Sequence, residues 1–126
     1  MKVKILPSKT SGEVSAPPSK SFAHRYLIGS VLSRGKCVIK NIADSDDISA
    51  TLSCIEQLGG SVTKDGNTVT VIPTNEKQIE NAVFDCKESG STLRFFIPVV
   101  LATGAKNCTF LGSERLLARG IKEYEK

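Results

Sequence analysis

The sequence predicts an α/β chain in which helices alternate with short strands in two related units. Three observations carry this. Apolar residues recur at helical spacing in Ser19–Arg34, where Ala23, Leu27 and Val31 stand four apart and Ile28 and Leu32 widen the face. Asp65-Gly66 lies between two β-prone runs, Ser61–Lys64 and Thr68–Ile72, which is a hairpin signal. One constant offset puts Arg25 on Arg94, Val31-Leu32 on Val100-Leu101 and Gly35 on Gly104, and both copies run helix, glycine, strand, loop, helix start.

In chain order, Lys2–Leu6 reads as a short strand and Pro7–Pro18 as a connector rich in Pro, Ser and Gly. The prolines lead into the Ser19–Arg34 helix, which Gly35 is placed to end. Cys37–Asn41 is β-prone and Ile42–Ser45 a loop. Ser45 then caps a helix whose first turn carries Asp46 and Asp47, favourable against the helix dipole. Its buried stripe is Ile48, Leu52, Ile55 and Leu58, and Gly59-Gly60 stop it. After the hairpin, Pro73–Asn81 reads as a polar connection with a turn or short helix. Ala82–Asp85 is a strand, Lys87–Gly90 a tight loop and Ser91–Thr103 a helix, with Pro98 inside it predicting a kink or an early break. Asn107–Leu111 is a strand, Gly112–Ala118 a loop, and Ile121–Lys126 the start of another helix. The first copy continues through a helix and a hairpin where the second stops. Neighbouring repeats share a core, so the chain reads as truncated, with apolar surface left uncovered.

Of 126 residues, 40% are hydrophobic and 24% charged, an ordinary globular balance that suffices for one core. No apolar run approaches the ~18 residues of a membrane span, and the stretch after Met1 is too short for a signal peptide, so a cytoplasmic protein is expected. The net charge of +4 is scattered among acidic residues, Trp is absent and aromatics are 6%. A nucleic-acid stripe or stacking platform has a different make-up, whereas small anionic substrates need only a few placed cations. Cys37, Cys54, Cys86 and Cys108 are far apart with one histidine in the chain, so they read as reduced core thiols and not as a zinc site.

Two helix starts suit anions. Pro17-Pro18-Ser19-Lys20-Ser21 followed by Arg25 puts Ser21 and Arg25 on one helical face with Lys20 on the first turn. First-turn N–H groups have no partners inside the helix, and the dipole's positive end favours phosphate or carboxylate. Glu88-Ser89-Gly90-Ser91-Thr92-x-Arg94 repeats the theme, with Gly90 letting a ligand approach the backbone. Arg115 and Arg119 follow the next strand, where loops commonly carry binding residues. Each stretch also suits a capped helix start or a solvated charge pair; two anion-suited starts in matching repeat positions outweigh either one. A P-loop is excluded because Gly12 stands at the wrong distance from Lys20, and His24 has no acid–base partner and reads as a surface histidine.

Ala16-Pro17-Pro18-Ser19-Lys20-Ser21-x-x-x-Arg25, Asn41–Asp47, Ser89-Gly90-Ser91-Thr92-Leu93-Arg94 and Glu114–Arg119 together resemble, in order, the signatures of the 5-enolpyruvylshikimate-3-phosphate synthase family. The resemblance covers essentially the whole chain. It implies an inside-out barrel of βαβαββ units in enzymes more than three times this length. By it, residues 1–16 would be a strand and connector of the other domain, 17–81 the first unit and 82–126 a truncated second. It further implies transfer of the enolpyruvyl group of phosphoenolpyruvate to shikimate 3-phosphate by addition–elimination, without metal or organic cofactor. Lys20 would contact both substrates, Ser21 and Arg25 the shikimate side, and Gly90, Arg115 and Arg119 the phosphoenolpyruvate side, where glyphosate also binds. The fragment alone would be inactive and would need the missing C-terminal part of its chain, with self-association through the uncovered surface.

Pro18 stands where the family usually has Gly, Glu88-Ser89 where Asn-Ser or Asn-Ala is usual, and Gly120 where Pro is usual. UDP-N-acetylglucosamine enolpyruvyl transferase shares the implied fold, but its loop cysteine would fall near Arg115–Arg119, where none lies. A non-catalytic anion-binding module is the alternative from another class.

Overall fold

In a computed structural model, residues 2–73 and 79–124 are described, with the side chain of Glu123 outside that description. The elements are α1 (Lys20–Val31), β1 (Cys37–Ile39), α2 (Asp46–Gln57), β2 (Ser61–Asp65), β3 (Thr68–Ile72), β4 (Val83–Asp85), α3 (Gly90–Ala102), β5 (Thr109–Leu111) and α4 (Glu114–Leu117), with a 3₁₀ turn at Lys122–Tyr124. The α/β class is as expected.

Two small sheets organise them. β1, β3 and β2 form an antiparallel sheet in that order, and β4 pairs in parallel with β5 across the α3 crossover. The hairpin closes with Asp65 opposite Thr68, so Gly66-Asn67 are the loop residues. Gly66 takes φ 51°, the left-handed conformation that a two-residue hairpin loop needs at its first position.

Serine hydroxyls start the four α-helices of the described residues. Ser19, Ser45, Ser89 and Ser113 accept from the backbone N–H three residues on, satisfying one orphan donor each. The cap serines Ser19 and Ser89 stand one residue further apart than Arg25 and Arg94 do, so the two arginines leave their helices at different angles.

Several expectations are corrected. Lys2–Leu6 forms no strand: it pairs with nothing among the described residues, and Ile5 is 88% exposed. Helix α1 ends at Val31, before Arg34, and Gly35 does not cap it. The Ser30 and Ser33 hydroxyls donate to the carbonyls of Leu27 and Ser30 at this end of the helix, competing locally with backbone donors. Pro98 neither breaks nor shortens α3, which runs on to Ala102. Gly112–Ala118, expected as a loop, contains α4, a single turn capped by Ser113. The turn expected in Pro73–Asn81 falls largely on residues 74–78, outside the described residues.

One core joins the two units. Leu27 of α1, Ile55 of α2, Val69 and Val71 of β3, Phe84 of β4, Phe96 of α3 and Leu116 of α4 are all buried within it. Phe84 lies 6.0 Å from Phe96 and 5.1 Å from Phe110, ring centre to ring centre, fastening α3 over the parallel pair. Cys54 and Cys86 are free thiols inside it, and Cys37 and Cys108 are half-buried. The neighbouring Cys86 thiol and burial push the Cys54 thiol far up, so it stays protonated. Among the described residues no helix is long and apolar enough to cross a membrane.

Candidate functional site

The starts of α1, α2 and α3 border one open cleft of about 520 Å³. Lys20, Asp47, Glu88, Gly90, Ser91 and Arg94 line it, with Phe95 and Arg119 beyond them. Local rules explain the placement. Lys20 and Gly90 are each the first helical residue after a capping serine, and Asp47 is in the first turn after Ser45.

Lys20 Nζ is paired with the Asp47 carboxylate across the α1–α2 junction. Both groups remain open to solvent, so the pair is one that an incoming anion can break at small cost. Opposite, two guanidinium groups converge on Gly90. A Cβ built there would lie 3.0 Å from Arg94 Nη1 and 3.5 Å from Arg119 Nη1, so the glycine keeps the space beside both cations free. The lining carries three cations, Lys20, Arg94 and Arg119, against two carboxylates, Asp47 and Glu88. With three helix starts at its rim, the cleft is suited to a small, multiply charged anion.

The expected site residues divide into two groups. Lys20, Gly90 and Arg119 meet in the cleft. Arg25 lies beside it: its guanidinium sits 5.4 Å from the Phe95 ring centre and donates to the Ser21 carbonyl at 3.1 Å. Ser21 and Arg25 thus share a face, as their spacing predicts, but on the flank of the cleft. Arg115 is exposed on α4 and does not line it.

Arg94 and Asp47 were readable only as a helix-start motif and a dipole-favourable acid; the structure puts both in the lining. Nothing in the local sequence says which of Asp46 and Asp47 turns toward α1. Glu88, a departure from the expected signature, also lines the cleft. Among the described residues no group of three His, Cys, Asp or Glu side chains could hold a metal ion.

His24 is a correction. It is fully buried, not on the surface, with Nδ1 2.7 Å from Thr51 Oγ1. Burial holds its pKa below the ordinary value near 6.5; Asp47 opposes that shift, and Lys20 and Arg25 reinforce it.

The sequence profile of EPSP synthase (3-phosphoshikimate 1-carboxyvinyltransferase) matches residues 6–125. The chain belongs to the EPSP synthase family. It is 40% identical, over an alignment 131 positions long, to the 3-phosphoshikimate 1-carboxyvinyltransferase of Clostridium novyi (strain NT), covering 97% of this chain and 30% of that protein. Against the enzyme of the same name from Clostridium botulinum (strain Eklund 17B / Type B) the identity is 45%, over 93% of this chain and 27% of the relative. For Clostridioides difficile (strain 630) it is 43%, over 94% and 28%. The chain therefore spans under a third of the length of the curated EPSP synthases it matches. The match takes in all three helix starts around the cleft, the loop before Gly90 and the α4 turn that brings in Arg119.

Proposed function

We propose that this chain carries part of the two-substrate site of a 3-phosphoshikimate 1-carboxyvinyltransferase (EC 2.5.1.19), the enolpyruvyl transfer step of aromatic amino acid and chorismate biosynthesis in the cytoplasm. The observation that carries the reading is a cleft that sets Lys20 opposite Arg94 and Arg119, which converge on Gly90, in a chain of this family. Phosphoenolpyruvate presents a phosphate and a carboxylate, and shikimate 3-phosphate presents the same two groups. A cleft with separated cations at two helix starts matches that charge pattern.

In this reading Lys20 stands between the substrates and replaces Asp47 with substrate oxygens as they enter. Gly90 and Arg119 hold the phosphoenolpyruvate side, with Arg94 beside them and Arg115 further out on α4. Ser21 and Arg25 face the shikimate side. The shikimate 5-hydroxyl oxygen adds to C2 of phosphoenolpyruvate while a proton adds to its methylene carbon. Loss of a methyl proton and of phosphate from that tetrahedral intermediate then gives the enolpyruvyl ether. The cations here stabilise charge on phosphate and carboxylate through both steps. Proton-moving carboxylates are assigned to chain beyond these residues, so the fragment by itself turns nothing over.

The same reading divides the chain into residues 1–16 from the other domain of a βαβαββ-repeat barrel, 17–81 as one unit and 82–126 as part of a second. Exposed Val14, at 96%, and an apolar groove of about 530 Å³ between α3, β5 and Tyr124 support surfaces that further chain covers. Without it, a second copy would take its place, which sedimentation velocity reads as a dimer against a monomer.

The test is substrate-specific binding. Shikimate 3-phosphate and phosphoenolpyruvate are titrated into the chain, and Lys20→Ala into the full-length enzyme of this sequence. Binding by the wild-type chain and loss of turnover in folded Lys20→Ala are expected. Near-normal turnover in that variant would sink the role given to Lys20. No binding of either substrate by the chain, even at millimolar concentration, would favour a purely structural piece.

A further inference from the structure

A chain of buried polar side chains runs under the cleft from His24 on α1, through Thr51 on α2, to Thr92 and Ser89 at the start of α3. His24 Nδ1 lies 2.7 Å from Thr51 Oγ1, Thr51 Oγ1 lies 2.7 Å from Thr92 Oγ1, and Thr92 Oγ1 lies 2.6 Å from Ser89 Oγ. All four side chains are buried. The Asp47 carbonyl sits beside the middle of the chain, 3.1 Å from Thr51 Oγ1 and 3.4 Å from Thr92 Oγ1.

Each hydroxyl has one hydrogen to give, and the shortest contact takes that of Thr92 to Ser89. Thr51 gives its hydrogen to the Asp47 carbonyl, which can only accept, or to Thr92, and its oxygen lies within hydrogen-bond reach of His24 Nδ1. The other ring nitrogen, Nε2, faces no partner. Among the described residues it is the one buried side-chain nitrogen or oxygen without a partner.

Spacing sets what this chain holds. Lys20 lies one helical turn before His24, and Asp47 one turn before Thr51. Gly90 and Ser91 lie between Ser89 and Thr92. Residues one turn apart share a helix face, so each helix start at the cleft is anchored by a member of the chain directly beneath it. Packing alone would be served by Val and Leu, which avoid the desolvation of four polar groups. A connected hydrogen-bond chain adds what apolar contacts do not: one register between three helices.

We infer that the His24–Thr51–Thr92–Ser89 chain is a positioning device that sets the spacing of Lys20, Asp47 and Gly90, and with it the fit of a phosphate-bearing ligand. The inference rests on the anion reading of the cleft.

Thr51→Val and Thr92→Val keep the shape of the side chain and delete one hydroxyl each. Inorganic phosphate is titrated into the 126-residue chain and followed on the backbone amides of Lys20, Asp47 and Gly90. Each valine variant should weaken phosphate by about two- to tenfold, the range one hydrogen bond is worth. The double variant should be no weaker than the weaker single, because both break the same chain. Thr51→Ser should bind as the wild type does. Val100→Ala, a core truncation on α3 outside the cleft, should lower Tm without changing phosphate affinity.

Unchanged affinity in the valine variants, or an equal loss in Val100→Ala, overturns the positioning role. If the wild-type chain shows no phosphate-dependent shift, it is the anion reading that fails. The amides of Lys20 and Gly90 in unliganded Thr51→Val then decide the positioning role, because residue 51 lies on neither of their helices. Displaced amides support it and unmoved ones reject it.

Discussion

The Tyr124 hydroxyl donates to the Arg94 carbonyl at 3.0 Å, the carbonyl that Pro98 leaves without its helical donor. Proline has no N–H to return to the residue four before it, which is why Pro98 predicts a break. Here a phenol from the far end of the chain supplies the missing hydrogen, and α3 runs through. The contact also bears on the cleft, because Arg94 is one of its cations.

Tyr124→Phe should therefore destabilise the chain by about 0.5–1 kcal/mol, the lower part of the hydrogen-bond range because Tyr124 is partly exposed. In a Pro98→Ala background the residue at 98 has its own N–H for Arg94, and the same change should cost almost nothing. Urea unfolding of the four proteins gives the coupling. Equal losses in both backgrounds would falsify the substitute-donor account.

Asp47 competes with any anion for Lys20. Asp47→Asn removes the competing charge while keeping the shape, so the chain should bind inorganic phosphate more tightly. Stability should move by less than about 1 kcal/mol, since the pair is open to solvent. Calorimetric titration at low and high salt reads the gain, which should shrink as salt screens it. A weaker phosphate complex in Asp47→Asn would mean that Asp47 orients Lys20 more than it masks it.

His24 couples folding to acid. Its folded-state pKa is lowered by burial, so between that value and the unfolded value near 6.5 the unfolded chain holds the extra proton. Stability from this group is full above about pH 6.5 and falls as pH drops below it, levelling off under the folded pKa. One proton limits the slope to about 1.4 kcal/mol per pH unit. His24 is the only histidine, so the fall between pH 6.5 and 5.5 should flatten in His24→Leu. A profile of the same slope in that variant would assign the acid sensitivity elsewhere.

Features governed by neighbouring residues were legible in the sequence. The hairpin at Asp65–Thr68, the Ser45 cap of α2 and the stop after Gln57 follow from turn chemistry and hydrophobic period. The end of α1 was not: there two serine hydroxyls bond the carbonyls of Leu27 and Ser30, a side-chain competition that hydrophobic period does not report. Lys2–Leu6 has strand composition, but a strand exists only where another edge accepts its hydrogen bonds. Helix α4 escapes period analysis because one turn is too short to show a period.

The sequence alone determined that two helix starts carry cations and a Gly90 without a Cβ, because dipole and glycine geometry act within a turn or two of chain. Only the tertiary structure decided that Lys20 would meet Asp47, that Arg119 would join Arg94 over Gly90, and that His24 would be buried against Thr51. Those partners are separated by a strand or a helix of intervening chain, and it is the packing of α1, α2 and α3 into one core that sets which way each side chain turns.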